Sequence, residues 1–290
     1  MEKLILGSMD NYTDLPFRLL CQKYGANITI TEMTNAIAIF RENEKTLKKI
    51  YMPKQEKKGY IQIMGMKNND FYKGIKKIVE LIDTGKNNSK GIDINFGCPS
   101  ERICSNGTGS FLLKYPKIIK NIIMQTTKIC PYPISCKLRL GYSKKGEIFD
   151  IIKNLNDTEL ESSILHGRTK IQNFSGNADW EIMKDARDKA KFTIYGNGDL
   201  TSIEQAQKKF KEGWKGVSIA RAVRGNPSIF EGKKSTKKQF LEYFELAKKF
   251  NYLDLKKLKL HSICFEKNKQ KKVDLSKAKT IEELIFRFSD

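Results

Sequence analysis

The string "INFGCPSERICSNGTGS" (residues 94–110) sets Cys98 between Gly97 and Pro99, where a short apolar run gives way to glycine and small polar residues. A thiol there can donate a proton, or it can be a small hydrophobe packed away from chemistry. Further along, "CKLR" alternates apolar residues with cations, which on a strand sends Lys137 and Arg139 to one face. Two cations facing a barrel interior cost too much desolvation unless an anion or an electron-rich ring partners them. Gln62, between apolar neighbours in "IQIMG", is either a satisfied core amide or a group that bonds the edge of a ring. His166, one of only two histidines, runs directly into Gly167 and Arg168, a setting that favours a site role. His261 lies in a lysine-rich segment and takes no role. "YGNGD" and "IARAVRGNP" form the last group. Gly196 and Gly198 let backbone approach a ligand, Asn197 offers an N–H in a tight turn, and Arg221 supplies a bidentate cation.

Elements must bring these residues together. Apolar, β-branched clusters recur at Leu4–Gly7, Asn27–Thr31, Tyr60–Met64, Gly91–Asn95, Ile134–Arg139, Ser163–His166, Thr193–Gly196 and Val217–Ala220. Between them lie helical patterns such as "DLPFRLLCQKYG", "DFYKGIKKIVELIDTG", "YPKIIKNIIMQTTK" and "SIEQAQKKFKEG". The last has Ser202 and Gln205 at capping-box spacing and Gly213 as its stop. Eight strand–helix units in this length predict an α/β fold, a (β/α)8 TIM barrel, with a doubly wound sheet as the alternative. Every residue of the first paragraph except His261 then falls at or near a strand's C-terminal end, where such barrels do chemistry. The loops after strands seven and eight are that fold's usual phosphate cradle.

Composition narrows the partners. Lys and Arg total 54 against 33 Asp and Glu, a net charge of +21, which predicts attraction to a polyanion, nucleic acid first. A lysine-rich codon bias is the bland alternative. From Lys233 to Lys272 there are thirteen lysines against Glu242, Glu245, Asp254 and Glu266. Apolar positions at helical spacing continue through that stretch, which predicts a small C-terminal α-helical domain with a basic face. The division expected is 1–232 for the barrel and 233–290 for a basic helical domain. Six cysteines without a CxxC pair, and two histidines, argue against a metal cluster or a disulfide framework. No apolar run is long enough to span a bilayer, so the expectation is a cytoplasmic protein with no membrane association and no obligate protein partner.

The segments "MDNYTDLPFR", "TEM", "DINFGCPSERICSNGTGSFLL", "KLRLG", "HGRTKIQNFSGNADW", "GNGDLTS" and "IARAVRGNPSIF" resemble, in order and spacing, those of the tRNA-dihydrouridine synthases. The likeness covers about the first 230 residues. The rest resembles the family's helical RNA-binding domain only loosely and looks short. The resemblance implies an FMN-dependent TIM barrel that takes electrons from NADPH and reduces uridine in the tRNA D loop to 5,6-dihydrouridine. Cys98 aligns with the cysteine that protonates the uracil carbon next to the one receiving hydride. A thiol near its ordinary pKa of about 8.5 is mostly protonated at neutral pH and suits that task. Cys104, in what reads as a mobile loop, is the second choice.

By the same alignment the flavin positions fall on Ser8, Met9, Asp10, Gln62, Asn95, Lys137, His166, Asn197, Gly198, Asp199, Ala220 and Arg221. Lys137 would face the electron-rich end of the ring. Arg139, Arg168, Lys256 and Lys257 are expected to meet the tRNA. Two positions depart from the family. Ser8 stands where Pro is usual, and Ala220 where Gly is usual; the added methyl of Ala220 at the phosphate loop leads to an expectation of weaker flavin retention rather than loss. Two other readings compete: a flavin barrel acting on a free pyrimidine, and an RNA-binding protein that has lost catalysis.

Overall fold

The computed structural model describes residues 2–289. Nine parallel strands are present: β1 (Lys3–Leu6), β2 (Ile28–Ile30), β3 (Thr34–Asn35), β4 (Gly59–Met64), β5 (Gly91–Asn95), β6 (Ile134–Arg139), β7 (Ser162–His166), β8 (Thr193–Asn197) and β9 (Gly216–Ile219). β1 pairs with both β2 and β9, and β2 also pairs with β4, so the sheet closes. β2 and β3 both lie against β4 and serve as one barrel position interrupted at "TEM". Eight positions, with helices outside, make a TIM barrel. The interruption has a local cause: the Thr31 hydroxyl oxygen accepts the Gln62 N–H (2.9 Å), a bond that ladder backbone would otherwise make.

Strand alternation sorts side chains into two cores. Ile5, Ile28, Ile30, Tyr60 and Ile164, with Tyr195, fill the barrel floor. Their outward neighbours, such as Leu6, Ile61, Cys136 and Leu165, pack under the helices in a much larger cluster. Two glycines make room for rings. A Cβ on Gly91 would strike the Tyr60 ring inside the barrel, and one on Gly196 would strike Trp180 outside it. Gly196 therefore serves packing between sheet and helix, not approach to a ligand.

The helices follow from caps and apolar stripes. Asp14 caps Leu15–Lys23, accepting the Phe17 N–H, and Pro16 occupies its first turn, where no N–H is needed. Ser202 caps Ile203–Lys211, and the chain leaves that helix through Gly213 at φ 86°. Four more helices follow the barrel: Lys237–Lys249, Leu255–Phe265, Lys269–Lys277 and Ile281–Ser289. They join it through a polar and aromatic seam. Tyr243 donates its hydroxyl to the second oxygen of Asp14 (3.0 Å). The His261 ring lies against Tyr243, Phe17 and Tyr12, at centroid distances of 4.1, 4.8 and 5.7 Å. Among the described residues no helix is long and apolar enough to cross a membrane, and no group of His, Cys, Asp and Glu is arranged to hold a metal ion.

Candidate functional site

A cavity of about 670 Å³ opens at the C-terminal ends of the strands. Its wall contains Cys98 and every residue aligned with flavin binding: Ser8, Met9, Asp10, Gln62, Asn95, Lys137, His166, Asn197, Gly198, Asp199, Ala220 and Arg221. Register explains the convergence. Gln62 is paired with Asp93, Asn95 with Lys137, Arg139 with His166, and His166 with Asn197, so each inward side chain meets the next around the ring.

One side of the ring is a chain of buried hydrogen bonds. Ser135 donates its hydroxyl to Asp93 (2.6 Å), and Gln62 donates its Nε2 to the other Asp93 oxygen (2.7 Å). Gln62 Oε1 then accepts from Asn95 Nδ2 (2.9 Å). That fixes Asn95 Oδ1 towards the backbone N–H groups of Gly97 (3.1 Å) and Cys98 (2.9 Å). The Asp93 carboxylate, which can only accept when ionised, thus dictates the orientation of two amides and holds the turn that carries Cys98. From the other side, the Cys98 carbonyl accepts from the Ser110 N–H (3.1 Å) and hydroxyl (2.7 Å). The Cys98 side chain is half-buried, and burial pushes its thiol above the ordinary range, so it carries its proton at neutral pH. A Cβ at Gly97 would press on the Lys137 stem.

Across the cavity His166 is held by Asn197. Asn197 Nδ2 donates to the Ser218 carbonyl (2.8 Å), so its Oδ1 must accept, and the proton of His166 lies on Nδ1 (2.8 Å). Burial, then the Lys137 and Arg139 charges, push the imidazole pKa down to about 2. His166 is neutral at physiological pH, which leaves it unable to supply a proton from an imidazolium. The Lys137 ammonium has one long contact, to the Leu138 carbonyl (3.5 Å). Burial, then Arg139, bring its pKa down to about 7, against the Asp93 carboxylate, which raises it. The Ser218 hydroxyl, also in the cavity wall, is buried without a partner among the described residues.

The far end of the cavity is a turn and a 3-10 helix. Gly198 has φ 142° and Asp199 φ 55°. The Asp199 carboxylate takes both Arg168 Nη1 (2.8 Å) and Nη2 (2.7 Å), the Ala178 N–H (2.8 Å) and Arg221 Nη2 (3.3 Å). Burial raises its pKa, but Arg168 and the Ala178 N–H outweigh that and hold it below the usual range. Arg221 begins the 3-10 helix Arg221–Val223 and is 46 % exposed. The Phe174 ring lies beside both Arg221 and Arg139 (4.6 and 5.5 Å) at the mouth.

These features sit in a chain with recognisable relatives. The sequence profile described as Dihydrouridine synthase (Dus) matches residues 5–287. The chain belongs to the dihydrouridine synthase family. Family membership makes it an oxidoreductase. It is 32% identical over 233 residues to the "Probable tRNA-dihydrouridine synthase" of Aquifex aeolicus (strain VF5), covering 79% of this chain and 72% of the relative. It is 29% identical over 230 residues to the "tRNA-dihydrouridine synthase B" of Pasteurella multocida (strain Pm70), covering 79% and 68%. The solved structure of TcOYE with pHBA superposes with a TM-score of 0.56 over 79% of this chain and 87% of that chain, at 10% identity, a likeness of fold alone.

Within this dihydrouridine synthase family member, four expected residues have different surroundings from those the sequence suggested. Arg139 lines the cavity, but its donors go to the carbonyls of Gly97 (2.8 Å), Thr169 (2.9 Å) and Asn173 (2.7 Å). Carbonyls, not an anion, satisfy it there. Arg168 is off the cavity wall, committed to Asp199 and to the carbonyls of Ser175 and Gly176, where it shapes the loop after β7. Lys257 is bound to Glu32 (2.9 Å) and lies 3.8 Å from Asp14. It is therefore part of the seam and not an open RNA contact, whereas Lys256 is exposed. Cys104 is in the short helix Glu101–Cys104, not a mobile loop. It is buried against Ser110, which removes it from the wall. Asp10 is at the rim, paired with Lys49 (3.1 Å).

The residues that shape the first site loop were not visible from the sequence. Met9 and Thr13 bond each other, Arg18 Nη1 takes the Thr13 carbonyl (3.0 Å), and Glu56 takes Arg18 in a two-bond pair (2.8 and 3.0 Å). Glu32 of "TEM" accepts the Asn11 N–H (2.6 Å).

Proposed function

We propose that this chain is a tRNA-dihydrouridine synthase that reduces the 5,6 double bond of uridine in the tRNA D loop. FMN would be its cofactor, NADPH its reductant and Cys98 its proton donor. The observation that carries the reading is a protonated thiol on the wall of a cavity whose other polar groups suit a flavin. The fit rests on two under-satisfied groups there, the Lys137 ammonium and the Ser218 hydroxyl, and on the Gly198 and Arg221 end, where a backbone turn and a guanidinium suit a phosphate.

Ser8, Met9, Gln62, Asn95, Lys137 and His166 would hold the ring of FMN, and Asn197, Gly198, Ala220 and Arg221 its phosphate end. When bound, FMN supplies the hydride. The protein's part is positional and electrostatic. Asn95 and Ser110 fix the Cys98 turn, and the Cys98 thiol holds the proton for the neighbouring uracil carbon. Lys137 places a cation where negative charge develops. A uridine in folded tRNA must be swung out to reach the cavity. The barrel, 1–232, would carry the chemistry. The basic helices of 233–290, with exposed groups such as Lys256, would hold phosphates in a salt-dependent way. A free pyrimidine as substrate would leave the +21 charge without a purpose.

The test is mass-spectrometric dihydrouridine content of unmodified tRNA incubated with NADPH and FMN-loaded protein. Wild type should form dihydrouridine, Cys98→Ala should be slower by roughly 10²–10⁴-fold, and Cys104→Ala should remain close to wild type. Equal product from wild type and Cys98→Ala would remove the thiol from the mechanism. No product from a yellow, tRNA-binding wild type would remove the activity.

A further inference from the structure

The cavity wall contains three guanidinium or ammonium groups whose partners are described above, and one further cation that has none of that kind among the described residues. Arg224 lines the same cavity, is exposed, and has no carboxylate within ion-pair distance among the described residues. Its guanidinium carbon lies 4.2 Å from the centre of the Tyr12 ring. The guanidinium also bonds the Tyr12 hydroxyl, and with five N–H donors in its fork it keeps others for an oxyanion.

Its position separates it from the phosphate end of the cavity. Arg221 and Arg224 lie three residues apart across one 3-10 turn. Arg221 turns to Asp199 and Phe174, on the β7 and β8 side, whereas Arg224 turns to Tyr12, on the β1 side. Tyr12 belongs to the seam: its ring meets His261, and its hydroxyl lies 4.0 Å from the Cys264 sulfur. The next residue, Gly225, has φ 65° and sits so tightly on the Cys264 carbonyl that no side chain fits. Lys272, at the start of the third C-terminal helix, acts electrostatically on Cys264. Cations therefore stand on both sides of this part of the seam, Arg224 at the cavity and the lysine-rich helices beyond Tyr12 and Cys264.

We propose that Arg224, braced on Tyr12, is an RNA phosphate contact that holds the backbone beside the nucleotide inserted into the cavity. The inference rests on the tRNA reading above. It assigns to Arg224 a substrate phosphate, as distinct from the cofactor phosphate expected at Arg221. Such a contact holds the strand without reading its sequence.

The experiment uses full-length, FMN-loaded protein and an unmodified tRNA transcript, with affinity measured across a salt series. Arg224→Gln should weaken binding by about tenfold at low salt and lower the slope of log K against log salt by roughly 0.7–0.9. FMN affinity and the thermal midpoint should stay at wild-type values. Arg224→Lys, which keeps the charge, should keep the slope. Tyr12→Leu should keep the slope too, and weaken binding by freeing the guanidinium. An unchanged slope and affinity in Arg224→Gln overturns the proposal, as does loss of FMN with tRNA binding intact, which would move Arg224 to the cofactor. If wild type itself does not bind the transcript, the functional reading fails and this inference with it.

Discussion

Asp93 is the residue on which the orientation of the site depends, although it touches neither Cys98 nor the open cavity. We predict that Asp93→Ala and Asp93→Asn differ sharply. Alanine leaves Gln62 Nε2 and the Ser135 hydroxyl without acceptors in a buried place. Hydrogen bonds to a charged group contribute about 1.5–3 kcal/mol each. Against that stands the cost of the buried carboxylate itself, whose pKa burial has raised. The net loss should be about 2–4 kcal/mol, a fall in melting temperature on the order of 5–10 °C. With Gln62 free to turn, Asn95 loses its fixed orientation and the Cys98 turn loosens, so dihydrouridine formation should fall with it. Asparagine behaves otherwise. Its Oδ1 accepts from Gln62, its Nδ2 donates to Ser135, whose hydroxyl can equally accept, and both amides keep their sense. Stability should change by less than about 1 kcal/mol. A second signature follows from the charge. Asp93 raises the Lys137 pKa, so removing the carboxylate should move the Lys137 titration below about 7. Thermal melts of both variants, with lysine Nζ NMR across pH, measure all of this. Equal destabilisation by Asn and Ala, or an alanine variant as stable as wild type, would refute the orienting role.

Two further predictions concern the seam and the first loop. His261 is fully buried and neither ring nitrogen has a hydrogen-bond partner among the described residues; burial, then Lys257, push its pKa down to about 3. Below pH 6.5 the unfolded chain takes up this proton while the native one does not, so stability falls as pH drops, by about 2 kcal/mol from this group at pH 5. His261→Phe keeps a ring and removes that loss; urea unfolding at pH 7 and pH 5 should show a flatter pH dependence than wild type, and parallel behaviour would contradict the neutral, unpartnered ring. Glu56→Gln breaks a fully buried pair with Arg18 and should cost about 3–5 kcal/mol, read as a lower urea midpoint; a loss under about 1 kcal/mol would mean that the Arg18 charge is held by the Thr13 and Tyr51 carbonyls alone.

How far the sequence showed all this depends on the range of the interaction. The barrel strands were legible because β-branched clusters at regular spacing are a local signal, and each forms within a residue or two of where the composition puts it. The Lys137 and Arg139 alternation was legible for the same reason. β3 was not, because two residues carry no period. Asp93 was passed over because Ile–Asp–Ile reads equally as a strand with its acid in water; only the pairing of β4, β5 and β6 turns it inward. Arg168 and Arg139 look alike in sequence. Asp199, 31 residues beyond Arg168, decides between them. Lys257 looked like an open cation because Glu32 lies 225 residues away.

The seam also bears on how the chain comes off the ribosome. The first site loop, Met9–Asp14, is made long before Tyr243 and Lys257, yet Asp14 accepts the hydroxyl of Tyr243, and Glu32, which holds the Asn11 N–H, is paired with Lys257. Until those late residues emerge, a nascent barrel carries two carboxylates without the partners that the finished protein gives them. Residues 9–14 therefore specify a loop that is completed only by partners more than 220 positions further along the chain. A product truncated near residue 232 would lack the groups that settle the start of its own active site.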